Sequence, residues 1–230
     1  MPFHFEEGEI LLVNKPFRWT SFDVVNSVRI FLKIELGLKK IKIGHAGTLD
    51  PLATGLLILC TGRMTKQIEQ FKEYDKEYTG TFTIGTTTAS FDLETEVIET
   101  LPIDHVTDEL IRQTAEQLSG SYEQLPPMFS AVKINGKRAY EYARKEQDVV
   151  MPAKQVNIPV FEITSVELPV IGFRIVCSKG TYIRSIARDF GVLMGCGAHL
   201  SSLSRTRIGP YLLENALELE ELKKQIVLQP

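Results

Sequence analysis

The 230-residue sequence predicts a mixed α+β protein, and three observations point there. Strand-like segments outnumber helical ones. The two kinds do not alternate strictly, as a doubly wound α/β sheet would require. No repeat or linker divides the chain, so residues 1–230 read as one domain carrying an insertion at about 124–152. Composition agrees: 43% apolar and 24% charged residues are ordinary globular proportions and exclude disordered and collagen-like classes.

In chain order, Glu9–Asn14 reads as a buried strand. Thr20 and Ser21 offer helix caps before Val24, Val25, Val28, Phe31 and Leu32, which recur at helical spacing. The apolar run Leu56–Cys60 is a buried strand, and Met64–Lys72 reads as a short helix. Tyr78, Gly80, Phe82 and Ile84 share one parity, the mark of a half-buried strand. Thr107 caps a helix that Gly120 is placed to end. Gln124–Pro152 breaks this rhythm with Pro126-Pro127, an Asn135-Gly136 hairpin signal and a basic-aromatic helix around Arg138–Lys145, so it reads as a projecting insertion. Strands follow near Val160–Leu168 and Phe173–Cys177, then a helix capped by Thr181. A strand over Leu203–Ile208 and an exposed acidic helix over Glu214–Gln225 close the chain.

The three cysteines, at 60, 177 and 196, form no C-x-x-C pair and exclude a disulfide framework, which points to a reducing compartment. No apolar run is long enough to span a bilayer, and the acidic N-terminus lacks the apolar stretch of a signal peptide, so a soluble cytoplasmic protein is expected. Net charge is −3, yet Arg174–Arg207 alone carries +5 and leaves −8 for the rest. A second basic stretch spans Lys133–Lys154. Such clustering is the footprint of a nucleic-acid face, although on charge alone a solvated surface is the better reading.

The densest candidate for chemistry is GHAGTLDPLATG at 44–55. Its glycines permit close ligand approach, but neither G-x-x-x-x-G-K-[ST] nor G-x-G-x-x-G fits, so nucleotide cofactors lose their usual support. Asp50 is left as a glycine-framed carboxylate able to ligate metal, act as base or act as nucleophile. The histidines show no paired ligand spacing, and no metal is expected. A glycosidase needs a second carboxylate, for which Asp92 is the nearest candidate. A second constellation, CSKGTYIR at 177–184, places Lys179 and Gly180 before a helix start, a ready anion site, with Tyr182 and Arg184 close by.

Taken together these segments resemble the bacterial TruB family of tRNA pseudouridine synthases. LLVNKPFRWTSFDVV with Lys15 looks like its first motif, GHAGTLDPLATG its catalytic loop, and KEYTGTFTIG its tyrosine segment. TTASFD, ending at Asp92, QLPPMFSAVKINGKRAYEYAR and CSKGTYIRSIARDFG match the acidic position, the RNA-gripping insertion and the arginine motif. The resemblance implies a largely antiparallel central sheet flanked by helices, and isomerisation of one T-loop uridine of tRNA without a cofactor. It casts Asp50, Tyr78 and Arg184 as catalytic, with Arg184 the partner of the Asp50 carboxylate. His45 would help displace the base or fill its vacated space, and Lys15, Lys179, Tyr182 and Arg205 would meet RNA. Lys133, Arg138 and Arg144 would clamp the T-loop from the insertion. Ala46 and Ser204 depart from the family pattern, at positions usually held by Thr and by a basic residue. The sequence ends near Pro230, so the small C-terminal RNA-binding domain of many relatives is not expected, and a monomer is. A non-catalytic RNA-binding protein and a hydrolytic nucleosidase are the rival readings.

Overall fold

A computed structural model describes residues 3–145, 147 and 149–228; residues 146 and 148 of the expected insertion lie outside it. The elements in order are β1 (Ile10–Lys15), α1 (Ser21–Glu35), β2 (Ile43–His45), β3 (Thr54–Thr61), α2 (Ile68–Glu73) and β4 (Lys76–Ile84). Next come β5 (Thr86–Thr88), β6 (Val97–Thr100), α3 (Asp108–Gln117), β7 (Gly120–Gln124), β8 (Lys133–Ile134), β9 (Lys137–Arg138) and α4 (Ala139–Ala143). The chain ends with β10 (Lys154–Ile158), β11 (Val160–Glu167), β12 (Val170–Cys177), α5 (Ile183–Leu193), β13 (Ala198–Ile208), β14 (Tyr211–Leu212), β15 (Leu217–Glu218) and α6 (Leu219–Leu228). It divides into two compact units, Met1–Tyr78 with Leu203–Pro230, and Thr79–Ser202, each holding part of β4 and β13.

In the first unit the sheet runs β13-β3-β1-β15, with β2 on β3. The β1–β3 and β2–β3 pairs are antiparallel, while β13–β3 and β1–β15 are parallel. Strand β3 is buried on both faces, which is why its sequence is continuously apolar rather than alternating. Leu57 and Leu59 join Val24, Val25, Val28 and Leu32 of α1, whereas Leu56, Ile58 and Cys60 join Phe71 of α2. Helix α1 starts where expected: Thr20 accepts from the Asp23 N–H, and the Asp23 carboxylate answers to the Thr20 N–H. Gly55, at φ +103°, lies so close to the Arg205 backbone that a Cβ would strike its nitrogen and oxygen.

In the second unit β11 pairs antiparallel with β12, and the sheet order is β11-β12-β4-β13. Phe82, Phe161, Phe173 and Phe190 form its aromatic core, with Phe82 stacked on Phe173 at 4.3 Å. Asn135 and Gly136, both at positive φ, close the two-residue β8–β9 hairpin that their sequence signals.

Three expectations need correction. The segment read as one helix over Met64–Lys72 is a 3₁₀ turn, Gly62–Gln67, followed by α2. The closing helix begins at Leu219, not Glu214, and is not simply exposed: Leu219, Leu222 and Ile226 are buried beside α1. Thr181 does not cap α5, because its hydroxyl donates to the Ser178 carbonyl and Tyr182 takes the cap position.

Candidate active site

Between β2 and β3 the chain must cross residues 46–53, a segment without regular backbone pairing of its own. Side chains from distant elements supply what is missing. Ser21, buried at the start of α1, accepts from the Leu49 N–H at 2.9 Å and donates to the Leu49 carbonyl at 3.3 Å. On the far side of Asp50, the Pro51 carbonyl accepts from the Arg18 N–H at 2.8 Å and the Lys15 ammonium at 3.3 Å. The Asp50 carbonyl itself accepts from the Ala53 N–H. Arg205 donates to the Gly47 and Leu56 carbonyls, at 3.1 and 2.8 Å. Asn14 accepts from the Gly55 N–H. Asp50, half-buried, is therefore fixed on both sides by its neighbours.

Lys15 and Arg205, both expected to meet RNA, belong to this arrangement. Both are essentially fully buried. Lys15 donates to the Pro16, Trp19 and Pro51 carbonyls, and Arg205 to those of the loop's ends, so both charges organise backbone. Burial lowers the Lys15 pKa to about 8, opposed by the Asp50 charge and reinforced by Arg205. Burial, then the Arg205 charge, likewise pushes His45 below its usual range, so its imidazole is neutral at pH 7. Its Nδ1 is buried and has no hydrogen-bond partner among the described residues. Tyr78, on β4 of the same unit, is 8% exposed.

Arg184 stands in the second unit, on the first turn of α5, and is 4% exposed. Its guanidinium faces Asp92 at 3.6 Å and donates to the carbonyls of Ser90 and Phe129, at 3.1 and 3.0 Å. Asp92 accepts from the Glu94 N–H and is itself buried. One planar cation thus ties α5, the Ser90–Asp92 loop and the root of the insertion together. Gln124 does the same for Tyr182, accepting from its N–H and donating to its carbonyl. The first turn of α5 is buried from Ile183, while Gly180 before it is exposed. Lys179, just before it, is exposed, as are Lys133, Arg138 and Arg144 of the insertion. Sequence reading did not single out Ser21, Gln124 or Ser90 as site residues. Ser21 carried only a capping signal, and nothing local marked the others.

Most of the chain matches profiles of one family. Residues 33–183 match the profile described as TruB family pseudouridylate synthase (N terminal domain), and residues 184–229 match that of the tRNA pseudouridylate synthase B C-terminal domain. The chain belongs to the TruB family. It is 52% identical over 217 residues to the tRNA pseudouridine synthase B of Phocaeicola vulgatus, covering 94% of this chain and 92% of that protein. The protein of the same name from Chloroherpeton thalassium is 47% identical over 222 residues, covering 96% and 91%. Among solved structures, a chain of a Cbf5-Nop10-Gar1 complex superposes with a TM-score of 0.73 at 27% identity. The match covers 96% of this chain but 55% of that one, so this chain spans about half its length.

The Arg184 geometry sets a stability prediction. Arg184→Met, which leaves the Asp92 carboxylate buried without its cation, is expected to lose about 3–5 kcal/mol in urea unfolding. Arg184→Lys, keeping the charge but not the fork, is expected to recover only part of that.

Proposed function

We propose that this chain isomerises one uridine in the T-loop of tRNA to pseudouridine, with Asp50 as its essential carboxylate. The carrying observation is the pinning of Leu49 and Pro51 on either side of Asp50 by Ser21, Arg18 and Lys15. A group held this way is preorganised before substrate arrives, which is where catalytic advantage accrues. Family membership supports the reaction class.

The reaction breaks the N1–C1′ bond, turns the uracil and rejoins it through C5. It is redox-neutral with no net hydrolysis, and the reading requires no cofactor. The uridine must first leave its stack, at a cost of a few kcal/mol. His45, neutral and with an unpartnered buried Nδ1, suits displacement of a neutral base. Tyr78 provides an aromatic face for the flipped uracil. Asp50 acts ionised, by attack on sugar or base or by removal of the C2′ proton. The Asp50 charge helps Lys15 keep its proton against the effect of burial. Lys15 and Arg205 are positioning residues, and Arg184, the catalytic arginine by resemblance, holds the insertion root. Lys179 and Tyr182, with Lys133, Arg138 and Arg144, grip the T-arm mainly by shape. The reading includes one catalytic domain acting as a cytoplasmic monomer.

A nucleosidase fits less well. Its acid partner would be Asp92, and that carboxylate is buried, facing Arg184 and accepting from the Glu94 N–H. A binding protein gives no reason for a carboxylate so firmly placed.

Asp50→Asn is expected to lower pseudouridine formation on a tRNA transcript by at least about 10²–10⁴-fold while RNA affinity is largely kept. Nucleoside analysis reads the product, and substantial turnover by this variant would remove Asp50 from the chemistry. Activity should also fall as pH rises through about 8, where Lys15 loses its proton, its third N–H and its charge beside Asp50. The contribution of Lys15 to global stability runs the other way. Its folded pKa lies below the unfolded value, so the unfolded chain binds more protons between about 8 and 10.5, and stability from this group rises across that window. A rate profile flat to pH 9.5, measured beside thermal unfolding, would contradict the assignment.

A further inference from the structure

The first unit also carries a basic, aromatic surface. Residues 15–42 hold seven Lys and Arg against two Asp and Glu, in a chain of net charge −3. Of these, Arg18, Lys33, Lys39, Lys40 and Lys42 are exposed. Three large aromatics cluster there within six positions: Phe17 is 54% exposed, Trp19 37% and Phe22 62%. Arg18 sits between two of them in the left-handed region, at φ 66°, a conformation that costs energy for a residue with a Cβ. The bond from its N–H to Pro51 holds it there, and its guanidinium lies over the Phe17 ring at 5.7 Å.

Behind this cluster a groove of about 590 Å³ runs along α1. Trp19, Ile30, Phe31 and Ile34 supply an apolar wall, and Asn26 and Arg18 supply donors. Asp23 also lines it, but its carboxylate already accepts from the Thr20 N–H and hydroxyl. Contiguous apolar exposure of this kind marks a binding surface. Its cations, Arg18 and the Glu220-paired Lys223, select the partner: protein interfaces are depleted in Lys, whereas cations beside exposed aromatics suit single-stranded nucleic acid.

We propose that this groove is a second RNA-binding surface, taking one unpaired nucleotide of the tRNA other than the uridine that reacts. The base stacks against Trp19 with its edge toward Asn26, and Arg18 meets the phosphate. The inference rests on the tRNA reading and adds a contact to it. Because the Trp19 carbonyl and the Arg18 N–H belong to the network around Pro51, occupancy here acts directly on the backbone beside Asp50.

Trp19 is the only tryptophan of the chain, so the wild-type protein reports on itself. The experiment titrates a tRNA transcript into the full chain, following tryptophan emission and, separately, the anisotropy of labelled tRNA. The expected result is saturable quenching with the midpoint that anisotropy gives. Trp19→Ala should raise Kd about 5- to 100-fold with unfolding temperature unchanged, and Trp19→Phe should keep most of the affinity. Arg18→Gln should reduce the slope of log K against log salt by about one. Unaltered emission at saturation, with wild-type Kd for Trp19→Ala and normal pseudouridine formation, overturns this inference and leaves the function standing. A wild-type dimer that Ile34→Glu breaks, with RNA affinity unmoved, gives the groove to a second copy of the chain and also overturns it. Wild-type protein that neither binds nor converts tRNA overturns the functional reading itself.

Discussion

A carboxylate carried on an irregular loop is only as well placed as the peptides on either side of it. In this chain those peptides are Leu49 and Pro51, and both are held from outside the loop. Ser21 holds the first from the start of a helix whose capping is done by Thr20, so the two tasks do not compete. Lys15 and Arg18 hold the second, and Arg205 fixes Gly47 and Leu56 at the loop's ends. Gly55 allows β13 to approach closely enough for Arg205 to reach that position. Much of the first unit follows from this requirement. The layered packing on both faces of β3 gives the loop a rigid floor, and the capped start of α1 aims Ser21 at it.

Buried cations serve as organisers in both units. Lys15 lies among three carbonyls and Arg205 between two. Arg184 joins a carboxylate and two carbonyls from separate segments. Each donates in several directions at once, which suits joining irregular backbone that cannot pair with itself. The cost is desolvation, visible in the lowered pKa of Lys15. That cost is the reason such a residue is sensitive to pH near the physiological range, unlike an exposed lysine.

Local rules carried much of the fold. The apolar run of β3, the alternation in β4, the Thr20 and Thr107 caps and the Asn135-Gly136 turn are all determined by residues within a few positions of one another. The Asp50 loop was legible for the same reason, since its glycines stand beside the carboxylate they frame. What could not be read depends on contacts distant in the chain. Lys15 and Arg205 count as surface charge in any one-dimensional tally, and only the strand register puts Arg205 opposite Gly55. Thr181 obeys the composition rule for a cap, but a nearer acceptor at Ser178 takes its hydroxyl. The last helix looked acidic and solvated because three apolar residues among its charges gave too weak a signal of the packing beside α1. The basic segment 15–42 was missed because it coincides with a motif already accounted for by Lys15.

The central claim is that Asp50 works because its flanking peptides are held, and Ser21→Ala tests it most directly. The substitution removes one oxygen, leaves the Thr20 cap in place and touches neither Asp50 nor the groove along α1. Single-turnover conversion of a tRNA transcript, measured beside tRNA affinity and thermal unfolding, should slow by about 10- to 100-fold with affinity unchanged. Ser21→Ala turning over at the wild-type rate would show that the Asp50 carboxylate does not depend on this anchor, and would contradict the account.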